Sequence, residues 1–145
     1  MPCNLQFMEV KKNSATASLS GVPYATVIRT GGHELIADEP VDHGGMNKGP
    51  RPHDYILAAL SSCTCITVRM YADRKGIALT RILVSLSHDK VDIDGVQRDH
   101  IRRTITLEGD LTDEQRQRLL EIAGKCPTHR ALAQGLWLDC ELSTQ

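Results

Sequence analysis

The chain has 145 residues, of which 41% are hydrophobic, 3% aromatic and 24% charged, and its formal net charge is -1. This length suits one domain with its own core and is short for two. A near-neutral charge provides no electrostatic steering toward nucleic acid or an anionic membrane surface, so we expect neither as a partner. We therefore predict a single domain over residues 1–145.

The N-terminal residues and the cysteines give information about the cellular compartment of the protein. Residues 1–6 contain no basic stretch followed by an apolar run, so they predict no signal peptide, and we expect that no apolar segment approaches the length needed to cross a bilayer. The five cysteines are Cys3, Cys63, Cys65, Cys126 and Cys140. An odd number in a chain expected to be cytoplasmic indicates buried thiols, metal ligands or redox catalysts rather than a disulfide framework.

The first third of the chain predicts short strands and turns. Alternating or β-branched runs predict strands at residues 3–7, 25–29 and 34–37, with a turn at Gly31-Gly32 between the last two. Residues 38–52 are rich in Pro, Gly and polar side chains. This is a long loop for so small a domain, which indicates a binding segment or a lid.

A long helix is predicted over residues 54–75. Asp54 is a suitable cap, and Lys75-Gly76 supplies a basic last turn followed by a glycine stop. Its first half, residues 55–60, is apolar on every side and should be buried on every face. One layer of a 145-residue chain cannot cover such a helix, so the pattern predicts dimerisation.

The remaining elements complete an α+β order. Strands at residues 83–87 and 101–107 flank a turn at 92–95, and Arg98, Arg102 and Arg103 are interpreted as a solvated strand face. Thr112 and Gln115 match a capping box that begins a second helix ending near Ala123. A short third helix follows Cys126-Pro127, and alternation over residues 136–142 predicts a closing strand. Strands, a helix, a hairpin, helices and a strand indicate an α+β domain.

The cysteines differ in what their positions predict. Cys3 and Cys140 lie on the apolar parity of their strands, so both are expected to pack in the core. Cys63 and Cys65 are two residues apart on a helix, roughly 200° around its axis, so they cannot both face one site. Cys63 follows a stripe of small residues and is favoured to line a pocket.

Cys126 is the most informative cysteine. Pro127 is tolerated in the first turn of a helix, which places Cys126 at or next to a helix N-terminus. Lys125, His129 and Arg130 are close in sequence, and both the helix end and these cations favour thiolate over thiol. The alternative interpretation is an unreactive cysteine at a helix boundary.

A zinc-binding module is a further hypothesis. Cys126 and His129, together with Cys63 and Cys65, have spacings that occur in zinc sites. The opposite helical faces of Cys63 and Cys65 argue against this hypothesis, because only one of them could reach the ion. The histidines of the first third, His33, His43 and His53, do not pair at ligand spacing, so we expect no metal.

Several segments together resemble the OsmC-like family, which includes the organic hydroperoxide resistance proteins. They are Asp38-Glu39-Pro40, Gly44-Gly45-x-Asn47-x-Gly49-Pro50-x-Pro52, Leu57-Ala58-Ala59-Leu60-Ser61-Ser62-Cys63-Thr64, Met70-Tyr71-Ala72-x-Arg74-Lys75-Gly76 and Lys125-Cys126-Pro127-x-His129. The resemblance implies antiparallel sheets packed on a long buried central helix in an intertwined homodimer. It also implies a thiol peroxidase without metal or organic cofactor.

The resemblance assigns expected roles to individual residues. Cys63 corresponds to the peroxidatic cysteine and Cys126 to the resolving cysteine, with a dithiol, typically a dihydrolipoyl group, as the reductant. Two departures concern the supporting residues. Asp54 stands where family peroxidases have a glutamate, and the loop offers no arginine at the matching place, which leaves Arg51 and Arg29 as candidates to stabilise the thiolate.

Two functions follow from the resemblance and its departures. The first is reduction of organic, lipid-type hydroperoxides through a Cys63–Cys126 disulfide. The alternative is a non-catalytic redox sensor or small-ligand binder with the same fold.

Overall fold

The computed structural model describes residues 13–21 and 23–143. Its elements are β1 (Ala15–Ser18), β2 (Thr26–Thr30), β3 (His33–Ala37), a 3-10 turn (Val41–His43), α1 (Pro52–Lys75), β4 (Leu79–Ile93), β5 (Val96–Gly109), α2 (Asp113–Ala123) and α3 (Pro127–Gln134). The architecture is α+β, with two antiparallel sheets and a long helix, as predicted. The chain divides into two compact units, residues 1–56 and 57–145. A single domain over residues 1–145 stays a prediction.

The first unit contains a three-stranded antiparallel sheet in the order β1-β2-β3. Thr30 pairs with His33 across the turn, and Gly31 and Gly32 have φ of 56° and 80°. A two-residue hairpin turn with positive φ at both positions requires glycine or a similarly permissive residue. The predicted strands 25–29 and 34–37 are confirmed, β1 was not anticipated, and the predicted strand 3–7 lies outside the described residues.

The loop that follows β3 is organised around the carboxylate of Asp38. This residue is 2% exposed and accepts hydrogen bonds from the backbone N–H groups of Glu39 (2.8 Å), Met46 (3.2 Å) and Lys48 (3.1 Å). Burial raises the pKa of Asp38, but these N–H donors outweigh burial and hold the pKa below its ordinary value. The backbone of the segment predicted as a binding loop or lid therefore folds around the carboxylate of Asp38.

The core of the second unit lies where α1, α2 and the β4–β5 hairpin meet. Its buried residues are Val68, Ala72, Leu79, Leu119, Ile122 and Ala123. The predicted capping box of α2 is confirmed: the Gln115 N–H donates to Thr112 Oγ1 (3.1 Å), and the Thr112 N–H donates to Gln115 Oε1 (3.0 Å). These bonds satisfy N–H groups that a helix start leaves without partners.

The two strands of the hairpin are longer than the runs predicted at 83–87 and 101–107. They turn at Asp94-Gly95, whose φ values of 55° and 79° suit a two-residue turn, so pairing continues to Ile93 and Val96. Half-buried residues alternate with exposed ones along β5, and Arg103 is on the half-buried parity. The interpretation of Arg103 as part of a solvated face is wrong, because adjacent strand residues point to opposite faces.

α1 begins two residues before the predicted start. Pro52 occupies its first position, where the missing N–H is tolerated. Asp54 is therefore not the cap but a first-turn residue, and its carboxylate accepts the Arg51 N–H at 3.1 Å. Burial on every face is not observed within one chain: the buried residues are Leu60, Thr64, Val68 and Ala72, which form a single stripe.

The length and composition of α1 correct one sequence expectation. The helix has 24 residues and, by length and composition alone, is long and apolar enough to cross a membrane. The expectation that no apolar segment approaches that length is therefore wrong. The core helices of globular proteins also pass this test. α1 resembles such a helix, because one stripe of its residues packs in the core of the second unit.

The predicted closing strand at residues 136–142 is also wrong. Residues 135–143 contain no strand, and Leu136, Leu138 and Leu142 are 64%, 83% and 93% exposed. Alternation of apolar and polar residues is compatible with a strand, but a strand also needs a neighbouring strand that completes its backbone hydrogen bonds. Cys140, expected in the core, is exposed for the same reason. Cys3 lies outside the described residues.

We predict that Asp38→Asn lowers the urea midpoint of unfolding at pH 7, because an amide cannot accept all three N–H bonds. The folded pKa of Asp38 lies below its unfolded value of about 3.9. The stabilisation is therefore present above that pH and is lost as pH falls through the folded pKa. The difference between wild type and variant should shrink in acid. Asp42→Asn, in the same loop and with a 79% exposed side chain, is the control; equal midpoints for wild type and Asp38→Asn at pH 7 would contradict the assignment.

Candidate active site

The first turn of α3 holds one of the two predicted thiols. Cys126 is the N-cap of this helix, with φ -61° and ψ 139°, and Pro127 follows it. Its Sγ accepts the His129 N–H at 3.2 Å, and the residue is fully buried. The prediction that Cys126 lies at a helix N-terminus is confirmed.

Cys63, on α1, meets the same turn. The groups that lower the pKa of its thiol are Thr128, through both its side chain and its backbone, Cys126 and Thr67, so these groups lie near the Cys63 sulfur. Thr128 is the second residue of α3, so its N–H is one of those without an intrahelical acceptor. The structure therefore brings Cys63 and Cys126 together at the positive end of one helix.

This environment favours the thiolate of Cys63. Partial burial raises the pKa of Cys63, but the contacts with Thr128, Cys126 and Thr67 outweigh burial and lower the pKa from its ordinary value. The direction matches the effect of a helix N-terminus on a nearby negative charge. A lowered pKa gives Cys63 a larger thiolate fraction near neutral pH, and the thiolate is the nucleophile.

Cys65 is half-buried and free. The groups that lower the pKa of Cys63 include Cys126. That Cys65 does not share this site stays a prediction.

Sequence reasoning missed Thr128 and Thr67. Thr67 is four residues after Cys63 on the same helix, a spacing that places side chains side by side. Thr128 is two residues after Cys126, at a helix position with an unpaired N–H. Both of these spacings can be found in the sequence. They indicate one common site only when α1 and α3 are known to pack together.

The carboxylate and arginine predicted to support the thiolate contact each other. Arg51 Nε and Nη2 lie 3.4 and 3.5 Å from the Asp54 carboxylate, and hydrogen bonds from Arg51 hold the pKa of Asp54 below its ordinary value. The other candidate, Arg29, pairs with Glu34 at 3.0 Å. Action of Arg51 or Asp54 on Cys63 stays a prediction.

The part of the chain that the structure describes contains no set of ligands for the zinc ion of the zinc-binding hypothesis. Within residues 13–21 and 23–143, no group of three or more His, Cys, Asp or Glu side chains could hold a metal ion. The arrangement instead offers thiol chemistry: one sulfur with a lowered pKa, and a second sulfur in contact with it that could complete a disulfide.

We predict that Thr128→Val slows alkylation of Cys63 by limiting iodoacetamide at pH 7. Loss of the hydroxyl removes a contact that lowers the pKa, so the rate–pH curve should move to higher pH and the thiolate fraction at pH 7 should fall. Peptide mass spectrometry would read Cys63 separately from the other cysteines. Thr104→Val, at an exposed position of β5, should leave the curve in place. An unchanged curve in Thr128→Val would show that Thr128 does not stabilise the thiolate.

Three solved structures illustrate the likeness of this fold to known proteins. An OsmC-like protein of Mycoplasma pneumoniae is 20% identical, with a TM-score of 0.71, and the match covers 85% of this chain and 88% of that one. An organic hydroperoxide resistance protein of Legionella pneumophila is 17% identical (TM-score 0.62, 82% and 87% covered). One from Elizabethkingia anophelis is 21% identical (TM-score 0.61, 81% and 84% covered).

At these identities the solved structures establish the fold and nothing finer. No curated protein matches the chain. Residues 45–141 match the family described as OsmC-like protein, a span that includes α1, both hairpin strands and the two later helices. By that match over most of its length, the chain belongs to the OsmC-like family.

Proposed function

We propose that this protein is a thiol-dependent peroxidase that reduces organic, lipid-type hydroperoxides. The observation that carries the proposal is the contact of Cys63 with Cys126 at the first turn of α3, in surroundings that lower the pKa of Cys63. A peroxidatic thiol must be ionised to attack, and it needs a second thiol within reach to regenerate it. Two of the similar structures are organic hydroperoxide resistance proteins, which supports hydroperoxides as the substrate class.

The first step oxidises Cys63. Its thiolate attacks the outer oxygen of the hydroperoxide, the O–O bond breaks, and the leaving alkoxide takes a proton to become an alcohol. Cys63 is then a sulfenic acid. The N–H and hydroxyl of Thr128 favour the thiolate that makes this attack.

The second step forms the disulfide. Cys126 loses its proton and attacks the Cys63 sulfur, the S–OH bond breaks, and water leaves. A dithiol then reduces the Cys63–Cys126 disulfide to two thiols and becomes a disulfide itself. We propose a dihydrolipoyl group on a partner protein as this dithiol, and the cytoplasm, where thiols are kept reduced, as the compartment.

We also propose an intertwined homodimer. Within one chain α1 leaves Ile66 and Met70 58% and 62% exposed, and the apolar residues that follow α3 are uncovered, with Leu138 83% exposed. Exposed apolar surface of this extent indicates an interaction site. Burial of α1 against its copy would cover the faces that one chain leaves open.

A redox sensor or small-ligand binder is the second candidate. The observation that favours it is the ion pair of Arg51 with Asp54, which engages a candidate arginine for stabilising the Cys63 thiolate. Such a protein would form the Cys63–Cys126 disulfide slowly and would show no turnover.

We predict that wild-type protein consumes cumene hydroperoxide with dihydrolipoamide as reductant and that Cys63→Ser lowers kcat/KM by at least about a thousandfold. A serine hydroxyl is not ionised near neutral pH and cannot replace the thiolate. Cys126→Ser should undergo one fast oxidation and then stop, with a sulfenic acid on Cys63 that intact mass and dimedone trapping detect. Cys65→Ser is the matched control and should keep full turnover.

Either of two results would sink the peroxidase proposal. One is turnover that does not depend on Cys63. The other is absence of turnover in wild-type protein whose Cys63 and Cys126 are reduced, which would leave the sensor as the function.

We predict that light scattering of the purified protein gives twice the 16.0 kDa mass of one chain. Ile66→Asp should convert it to monomer, because a carboxylate on the apolar face of α1 would be buried without a partner. Leu120→Asp, at a 50% exposed position of α2, is the control. A wild-type monomer, or a dimer unaffected by Ile66→Asp, would contradict this interface.

A further inference from the structure

The stripe of α1 that carries Cys63 continues to a group of cations. Its members recur every four residues, so their side chains follow one another along the helix: Cys63, Thr67, Tyr71 and Lys75. At a rise of about 1.5 Å per residue, Tyr71 lies roughly 12 Å along the helix axis from Cys63. Side chains around Tyr71 therefore lie on the same stripe of α1 as the reactive thiol.

Tyr71 is the centre of this group of cations. The ring is half-buried, the Arg118 guanidinium carbon lies 5.6 Å from the ring centroid, and Arg118 Nε donates to the Tyr71 hydroxyl at 3.1 Å. This hydrogen bond is the main reason that the pKa of Tyr71 lies below its ordinary value, against the opposing effect of burial, and the charges of Lys75 and Lys125 lower the pKa further. Both ammonium groups therefore lie close enough to act on the phenol. Tyr71, Lys75, Arg118 and Lys125 form what we term the Tyr71 surface.

The Tyr71 surface has an excess of positive charge. Arg118 Nη1 is paired with Glu121 Oε2 at 2.7 Å. The ion pairs of the described part of the chain include neither Lys75 nor Lys125, and both lysines are exposed. The acidic first turn of α2 lies at the opposite end of that helix from Lys125. Three cations and one carboxylate thus meet at one place, in a chain whose formal net charge is -1.

Lys125 joins this surface to the disulfide that the proposed cycle must reduce. It directly precedes Cys126, with Cα atoms about 3.8 Å apart. Cys126 is fully buried whereas Cys63 is only partly so, which makes the Cys63 sulfur the more accessible end of a Cys63–Cys126 disulfide.

Reduction from that side balances in two exchanges. A thiolate of the external dithiol attacks the Cys63 sulfur, the S–S bond breaks, and Cys126 leaves as a thiolate that takes up a proton. The second thiol of the reductant then loses its proton and attacks the reductant's own sulfur in the mixed disulfide. Cys63 leaves as a thiolate, and the reductant ends as a disulfide.

The charge of the Tyr71 surface indicates the kind of partner that brings this dithiol. Exposed cations without anionic partners attract a surface of opposite charge and raise the rate at which it docks. A small neutral dithiol gains nothing from such a field. A dithiol attached to an acidic protein does gain from it, because the carrier can dock beside Lys75 and Lys125 while its dithiol reaches Cys63.

We propose that the Tyr71 surface docks an acidic face of the protein that carries the reducing dithiol, with Lys75 and Lys125 as the main contacts. This inference rests on the proposed peroxidase function. It adds the surface and the charge by which a dihydrolipoyl carrier is recognised.

The test follows reduction of the Cys63–Cys126 disulfide without any peroxide. Diamide forms the disulfide, and either an isolated dihydrolipoyl domain of net negative charge or dithiothreitol then reduces it in a single turnover. At about 20 mM ionic strength, Lys75→Glu should slow reduction by the domain roughly tenfold, as expected for lost electrostatic steering, and should leave the dithiothreitol rate unchanged. The difference should nearly disappear at about 0.5 M salt, because ions screen these exposed charges.

Three further variants sharpen the comparison. Lys75→Gln should slow the domain less than Lys75→Glu, because it removes the charge without reversing it. Arg98→Glu, at an exposed position of β5, changes the net charge by the same amount as Lys75→Glu and should behave as wild type. Lys75→Glu combined with Lys125→Glu should lower the ratio of the domain rate to the dithiothreitol rate further, and this ratio corrects for any effect of Lys125 on Cys126.

The outcomes separate this inference from the peroxidase proposal. Because diamide forms the disulfide, a protein without peroxide turnover can still show the dependence on Lys75 and support the docking surface. Equal domain rates for wild type and Lys75→Glu at low salt, or equal slowing with dithiothreitol, would overturn the docking surface. Faster reduction by reduced thioredoxin than by the dihydrolipoyl domain, with the same dependence on Lys75, would overturn the choice of carrier. Failure of diamide to form the Cys63–Cys126 disulfide would overturn both proposals together.

Discussion

The chemistry proposed for this protein depends on the unpaired N–H groups at the start of α3. A helix start leaves its first N–H groups without intrahelical acceptors, and proline at the first position fixes where that start occurs. Here the N–H of Thr128 faces Cys63, and the N–H of His129 faces Cys126. Both sulfurs are therefore held by one helix end, which stabilises negative charge on sulfur and keeps the two atoms together.

The rotation of α1 about its axis places Cys63 near the N-terminus of α3. Leu60, Thr64, Val68 and Ala72 recur every four residues and are buried, which sets the rotation of the helix about its axis. Arg69 fixes it further by donating to the Leu79 carbonyl at 2.6 Å. With that rotation set, Cys63 and Cys65 must point in nearly opposite directions, and Cys63 is the one that meets α3.

Local sequence signals predicted the features that depend on local geometry. Cys126-Pro127 predicted a helix N-cap, Thr112 with Gln115 predicted a capping box, and Asp94-Gly95 lies in the predicted turn; the structure confirms all three. Features that depend on distant partners were missed or misassigned. Residues 136–142 have the alternation of a strand, but no sheet edge within the described residues receives them.

Arg103 and Thr128 show the same limit. The parity of Ile101 and Ile105 could have placed Arg103 on the inner face, but a run of arginines suggested solvent instead. The contact of Thr128 with Cys63 joins residues 65 positions apart and appears only when α1 and α3 pack together.

The proposed roles of Cys63 and Cys126 can be tested by identifying which cysteines are joined after reduced protein receives one equivalent of hydroperoxide. Rapid acid quenching, alkylation of the remaining thiols and peptide mass spectrometry would locate the disulfide. We predict a Cys63–Cys126 disulfide as the main product, with Cys65 and Cys140 alkylated as free thiols. A main product that links Cys65 or Cys140, or one that leaves Cys63 reduced, would contradict it.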